Sequence, residues 1–168
     1  MEQSLCFNFL SKIEHQFDRI SHLIGLIPED KIDWTPSIPK AFSVNTLLGH
    51  FMDCFAGICA VLHKSYPERL GHFLELKKLV GNQAIGIAEA QRRLSIFRDQ
   101  TCEGFKVLLD SDLGRKLPTV FVSEGESILS LLLSNFEHLA SHKYQLFIYL
   151  RMLGLNINSK DLYHFSGE

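Results

Sequence analysis

Four long segments with helical apolar periodicity limit the folds open to this chain more than any other feature. Strand-like alternation of apolar and polar residues is almost absent from the sequence. In the first segment, from about Ser4 to Ile27, apolar residues recur at alternating spacings of four and three along one helical face. These residues are Cys6, Leu10, Ile13, Phe17, Ile20, Ile24 and Ile27. A stripe of this kind is buried against other helices, so the sequence predicts an all-α helical bundle.

Prolines and one capping residue set the limits of the second predicted helix. Ser43 is a typical N-cap residue, and the apolar pattern that follows it continues until Pro67. The next stretch, Gly71 to Gly81, indicates one short helix inside a long connection between the second and third helices.

The third helix is expected from about Ala84 to Leu109, and the fourth from a capping box, Ser123-x-x-Glu126, to Leu153. Gly154 is expected to cap the fourth helix. The loop from Gly114 to Val122 is expected to be partly extended, and the residues after Asn156 to form a tail.

The composition of the 168 residues, 46% of them hydrophobic, favours one domain over positions 1–168 with a substantial core. A net charge of -2, without a cluster of Lys and Arg, argues against nucleic-acid binding. The four cysteines have no C-x-x-C spacing, and no basic leader precedes the first apolar segment. Both features favour a cytoplasmic protein with reduced thiols.

The segment Val44 to Leu62 is apolar enough to raise the question of a membrane span. Asn45, His50 and Asp53 interrupt it, and no basic flank orients it. We therefore expect a buried helix of a bundle and no contact with a membrane.

His138 and His142 are the strongest functional signal in the sequence. Residues four apart on a helix share a face, with Cβ atoms about 5–6 Å apart, so two imidazoles can reach one metal ion. His50, in the second predicted helix, is a third candidate ligand. A protease motif is excluded, because H-E-x-x-H requires a glutamate where this chain has Leu139.

The other candidate residues have alternative explanations. Cys54 follows His50 by four positions, and we expect it to serve packing, because a fourth protein ligand would close the site. Three polar residues beside the histidines of the fourth helix either orient ligands or form hydrogen bonds at the rim: Asn135, Gln145 and Tyr149. Three further histidines are expected to be exposed to solvent because of their helical positions: His15, His22 and His63. The sequence pattern does not place the last two, His72 and His164.

Three stretches together resemble the DinB/YfiT-like metal-binding four-helix bundles. They are the connection Leu26-Ile-Pro-Glu-Asp-Lys-Ile-Asp-Trp34-Thr-Pro36, the helix start Ser43-Val44 through Leu47-Leu48-Gly49-His50, and His138-x-x-x-His142-x-x-Gln145-Leu146 with Leu150-Arg151-x-x-Gly154. The resemblance covers nearly the whole chain. One departure lies after the second histidine of the fourth helix, where the family commonly has Arg-Gly and this chain has Lys143-Tyr144.

The resemblance implies an up-down-down-up bundle with a long crossover between helices two and three. It implies a divalent ion, often nickel or zinc, held by His50, His138 and His142, and a frequent homodimer. Several relatives are thiol-dependent enzymes that use bacillithiol, mycothiol or glutathione. The chain is therefore expected to be a metal-dependent thiol transferase or hydrolase acting on a small molecule; a non-catalytic metal-binding stress-response protein and a metal-free bundle are the alternatives.

Overall fold

A computed structural model describes residues 4–81, 83–119 and 122–163. Within these residues the main elements are helices: α1 Leu5–Gly25, α2 Val44–Ser65, α3 Ile87–Val107, α4 Ile128–Met152 and the short α5 Ser159–Leu162. Shorter elements connect them: 3₁₀ turns at Glu29–Lys31, Gly71–Leu79 and Asp110–Asp112, and strands β1 Lys116–Leu117 and β2 Glu126–Ser127. The predicted all-α class is confirmed, and the predicted short helix of the crossover is the Gly71–Leu79 turn.

Contacts between α2 and α3 show that these helices run in the same direction. Near their beginnings, Asn45 Oδ1 accepts a hydrogen bond from the Gly86 backbone N–H at 2.8 Å. About four turns further along both helices, Cys59 Sγ lies 3.7 Å from Thr101 Oγ1. A parallel pair needs a connection that returns along the bundle, which explains the long crossover.

The remaining contacts give the directions of α1 and α4. Ser21 of α1 bonds to Gln91 early in α3, whereas Phe9 packs on Phe105 late in α3, so these helices are antiparallel. α4 is antiparallel to α2, because His142 meets His50 whereas His138, one turn earlier, meets Cys54 further along α2. The bundle is therefore up-down-down-up, as expected.

Aromatic rings from three helices fill the centre of the bundle. Phe17 of α1 stacks on Phe55 of α2 with ring centroids 4.1 Å apart, and Phe97 of α3 lies 6.4 Å from Phe55. Six apolar residues are buried as predicted: Ile13, Phe17, Phe51, Phe55, Leu139 and Leu146. Leu10, which was expected on the buried stripe of α1, is only partly buried. α2 is long and apolar enough to cross a membrane by length and composition, but its apolar face lies in this core.

The beginning of α4 differs from the prediction. Glu126 and Ser127 form β2, which pairs antiparallel with β1, and the helix begins only at Ile128 with Ser127 as its N-cap. Ser127 Oγ accepts from the Ser130 N–H at 3.1 Å, so the predicted capping box at Ser123 is wrong. The predicted N-cap of α2 is confirmed, because Ser43 Oγ accepts from the Thr46 N–H at 3.1 Å.

The chain after α4 also differs from the prediction. Gly154 has the left-handed φ of 87° expected of a helix-ending glycine. The following residues were expected to be a tail, yet they form α5, in which Leu162 is buried. Asp161 of α5 meets His22 of α1 at 3.1 Å, so α5 lies against α1.

Candidate metal centre

Three histidine rings meet at the interface between α2 and α4. His50 lies in the second turn of α2, and His138 and His142 occupy successive turns near the middle of α4. Their Nε2 atoms are mutually close: 3.3 Å separates His50 from His138, and 3.0 Å separates His142 from each of the other two. The structure therefore brings together all three residues that the sequence singles out as ligands.

The size of this triangle fits a single metal ion. Zinc binds histidine nitrogen at about 2.0–2.1 Å, and the ligands of a tetrahedral ion are then roughly 3.3 Å apart. The three observed separations, 3.0, 3.0 and 3.3 Å, are close to that value. The group can hold a metal ion, and Cys54 belongs to the same cluster, with all four possible ligand atoms within 4.8 Å of one another.

A chain of hydrogen bonds orients the His142 ring. The Nδ1 atom of His142 lies 2.7 Å from Gln145 Oε1, and Gln145 Nε2 donates to Tyr149 Oη at 2.9 Å. An amide oxygen only accepts, so His142 carries its proton on Nδ1 and presents the lone pair of Nε2 to the centre of the triangle. The rings of Trp34 and Tyr149 pack edge to face with centroids 5.6 Å apart, which connects the loop before α2 to α4.

His50 is flanked by an aromatic ring and a carboxylate. Phe42 lies 5.2 Å from the imidazole, centroid to centroid, and Asp53 Oδ2 lies 3.6 Å from Nδ1 of His50. The other carboxylate oxygen of Asp53 accepts from the Gly81 N–H at 2.7 Å. Asp53 therefore connects the site to the crossover. The sequence analysis missed this role, although Asp53 follows His50 by three positions and so lies beside it on the helix.

Cys54 is buried and lies beside the His138 ring, on the side away from the other two histidines. Its Sγ is 3.6 Å from Nδ1 of His138, whereas the Nε2 atom of that ring points toward the other two histidines. Burial, together with the charge of Asp53, raises the pKa of the Cys54 thiol to about 12. In this position the thiol contacts the Nδ1 side of the His138 ring.

The surroundings of the site favour neutral imidazoles. Burial lowers the pKa of His138, and the nearby His50 adds to the effect against an opposing contribution from Asp53. Burial also lowers the pKa of His142, against the opposing hydrogen bond to Gln145. Neutral imidazole is the form that binds metals, so the His138 and His142 rings are ready to bind at neutral pH.

Asn135 does not orient a ligand in the way that Gln145 does. Its Nδ2 donates to the Leu131 carbonyl at 2.8 Å, and its Oδ1 occupies the space beside Gly57 of α2. Of the two explanations left open by the sequence, a hydrogen bond outside the site applies to Asn135, within α4, and a contact with a candidate ligand ring applies to Gln145.

The remaining histidines lie apart from this cluster. The expected exposure to solvent is wrong for His15, His22 and His63, which are partly buried. Asp161 of α5 lies beside His22, and the Gly71–Leu79 turn of the crossover lies beside His63. His72 is exposed and lies 3.1 Å from Glu103, and His164 is outside the described residues.

Comparisons with known proteins identify the fold. A crystal structure of a DinB-like protein, YjoA from Bacillus subtilis, superposes with a TM-score of 0.67, over 89% of this chain and 94% of that one. The chain has a DinB-like fold. Sequence identity to YjoA is 17%, and neither a protein-family model nor a curated protein matches the sequence. The structural likeness thus agrees with the resemblance found in the sequence.

Proposed function

We propose that this DinB-like protein binds one divalent ion, nickel or zinc, through His50, His138 and His142, and acts as a thiol transferase or hydrolase on a small molecule. The observation that carries the proposal is the convergence of three Nε2 atoms within 3.3 Å of one another. Three imidazoles leave coordination positions open, as in catalytic rather than structural zinc sites.

When bound, the ion would lower the pKa of a thiol or a water molecule enough to make either a nucleophile at neutral pH. The chain contributes three neutral ligands, which leave the positive charge of the site undiminished. His138 is exposed, whereas Cys54 and Leu139 beside it are buried, so a substrate reaches the ligands from the surface side of α4.

The proposal extends to partners and location. The substrate class is a small electrophile, the second substrate is a low-molecular-weight thiol such as bacillithiol, mycothiol or glutathione, and the protein is a homodimer in the cytoplasm. The free thiols of Cys6, Cys54, Cys59 and Cys102 support a reducing compartment. The net charge of -2 supports a partner other than a nucleic acid.

Elemental analysis of protein purified without a metal-affinity tag tests the binding step. We expect one ion per chain in the unaltered protein and none in His142→Ala. Both proteins are then assayed for conjugation of each thiol to an electrophile and for hydrolysis of activated amides and esters.

Two outcomes would contradict parts of the proposal. One ion per chain without turnover of either kind would indicate a non-catalytic metal-binding protein. No ion after addition of nickel or zinc would indicate a metal-free bundle. Size-exclusion chromatography with light scattering tests the homodimer separately, and a monomeric mass would refute it.

A further inference from the structure

Each of the three converging imidazoles has a different group behind it, on the Nδ1 side. Gln145 Oε1 lies 2.7 Å from Nδ1 of His142. Asp53 Oδ2 lies 3.6 Å from Nδ1 of His50, and Cys54 Sγ lies 3.6 Å from Nδ1 of His138. The three groups come from both α2 and α4, so they surround the site.

Gln145 decides which nitrogen of His142 carries the proton, whereas Asp53 and Cys54, each 3.6 Å from Nδ1, favour one nitrogen of His50 and of His138. A neutral imidazole has one N–H, and the other nitrogen is an acceptor. The amide oxygen of Gln145 and the carboxylate of Asp53 accept only, and the thiol of Cys54 is a weak acceptor as well as a weak donor. A proton on Nδ1 is compatible with all three groups and leaves every Nε2 lone pair directed into the triangle.

We propose that Gln145, Asp53 and Cys54 are positioning residues of the metal centre, and that Gln145 contributes most to metal affinity. The inference rests on the proposed metal site and assigns it a set of supporting residues. In metalloproteins, removing a group that accepts from the far nitrogen of a ligand histidine weakens metal binding about 10–100-fold.

Gln145 is expected to contribute most to metal affinity because both ends of its side-chain amide form hydrogen bonds. Its contact to His142 has an ordinary hydrogen-bond length, 2.7 Å, whereas the contacts of Asp53 and Cys54 are both 3.6 Å. The Gln145 amide N–H donates to Tyr149, whose side chain is only 4% exposed. A fixed amide keeps its oxygen toward His142 without losing side-chain entropy on metal binding.

Asp53 is expected to have a smaller effect, because it also holds the crossover. One of its oxygens accepts from the Gly81 N–H at 2.7 Å, which fixes the carboxylate and leaves the other oxygen 3.6 Å from the His50 ring. Cys54 is expected to have the smallest effect of the three, since sulfur is a weak acceptor.

The test is a chelator competition that measures zinc and cobalt affinity in Gln145→Ala, Gln145→Glu and Tyr149→Phe. Ser141→Ala is the matched control, because Ser141 lies on the same helix, is exposed, and bonds only to the Glu137 carbonyl among the contacts described. We expect Gln145→Ala to bind about 10–100-fold more weakly, Tyr149→Phe to bind more weakly by a smaller factor, and Ser141→Ala to be unchanged. Gln145→Glu keeps an accepting oxygen and is expected to retain the affinity of the unaltered protein.

The outcomes separate this inference from the proposed function. If the unaltered protein binds no ion, the proposed function fails, and the inference fails with it. If it binds one ion and Gln145→Ala stays within about twofold of the control, the inference is wrong and the proposed function stands. If Gln145→Ala fails to fold, as judged by circular dichroism, Gln145→Glu decides: loss of affinity there would overturn the role of the accepting oxygen.

Discussion

Replacement of Gly49 by alanine tests how closely the crossover must approach α2 beside the metal centre. Gly49 precedes His50 and is buried. A Cβ atom at this position would lie 2.0 Å from the Gln83 carbonyl oxygen and 3.1 Å from the Gln83 carbonyl carbon and amide nitrogen. Ordinary van der Waals contact begins at 3.4 Å, so the crossover would have to move.

Hydrogen bonds on both sides of Gln83 resist that movement. The Gly81 N–H is held by Asp53 at 2.7 Å, and the Gly86 N–H by Asn45 at 2.8 Å. Overpacking costs about 1–3 kcal/mol, and a lost hydrogen bond adds about 1 kcal/mol. Alanine returns about 1 kcal/mol through its higher helix propensity. We therefore expect a net destabilisation of about 2 kcal/mol, which corresponds to a fall in Tm of roughly 4–8 °C for a chain of this size.

Urea and thermal unfolding of the metal-free protein measure this effect. Gly25→Ala is the matched control, because Gly25 also lies in a helix and has no neighbouring atom within 4 Å of a Cβ. The control is expected to be stabilised by up to about 1 kcal/mol through helix propensity. If Gly49→Ala were as stable as Gly25→Ala, the close approach of the crossover would not constrain the bundle, and the reasoning would be wrong.

Three further predictions concern the site and the ends of the bundle. His142→Ala should lose the metal and keep its helical circular dichroism. Cys54→Ala should lower the free energy of unfolding in urea by about 1–2 kcal/mol and keep one ion per chain. A Cys54→Ala protein that purified without metal would instead indicate that the Cys54 thiolate is a ligand. Because burial holds the pKa values of His138 and His142 below the ordinary 6.5, the unfolded chain takes up protons first as pH falls. The metal-free protein should thus lose stability as pH decreases through 6.5, and the His138→Ala, His142→Ala double variant should lose less over the same range, as measured by urea midpoints. Asp110→Asn should speed amide hydrogen exchange at the start of α1, because the Asp110 carboxylate accepts from the backbone N–H groups there, at 2.8 and 2.9 Å; unchanged exchange would contradict this.

The sequence predicts the parts of this molecule that depend on local periodicity. The stripe through Ile13 and Phe17 is buried as expected, and the i, i+4 spacing of His138 and His142 places both rings on one face. The spacing of His50 does not relate it to α4, and it was suggested as a third ligand by its position in the second predicted helix and in a family-like stretch. The structure supplies the missing relation through the antiparallel contact of α2 with α4.

Two elements were missed because their causes are not local. β2 replaces the expected first turn of α4, since Glu126 pairs with Leu117, nine positions earlier, and no periodicity in either segment signals that pairing. α5 has four residues, too few for a helical pattern, and it owes its position to contacts with α1 such as Asp161 with His22. The contact of Asp53 with His50 follows from their spacing of three on α2, whereas its hydrogen bond with the Gly81 N–H is known only once the crossover is placed.

A glycine of α2, two turns away from His50, lies against α4 beside the metal centre. A Cβ at Gly57 would lie 1.9 Å from Asn135 Oδ1, so the Asn135 side chain occupies space that a larger residue at position 57 would need. Asn135 precedes His138 by three positions, and Gly57 follows Cys54 by three, so the close contact lies one turn beyond the level of the Cys54–His138 contact. From there the two antiparallel helices run side by side, which sets His138 and His142 opposite His50. The Nε2 distances of 3.0–3.3 Å are therefore a consequence of helix packing as much as of the histidines themselves.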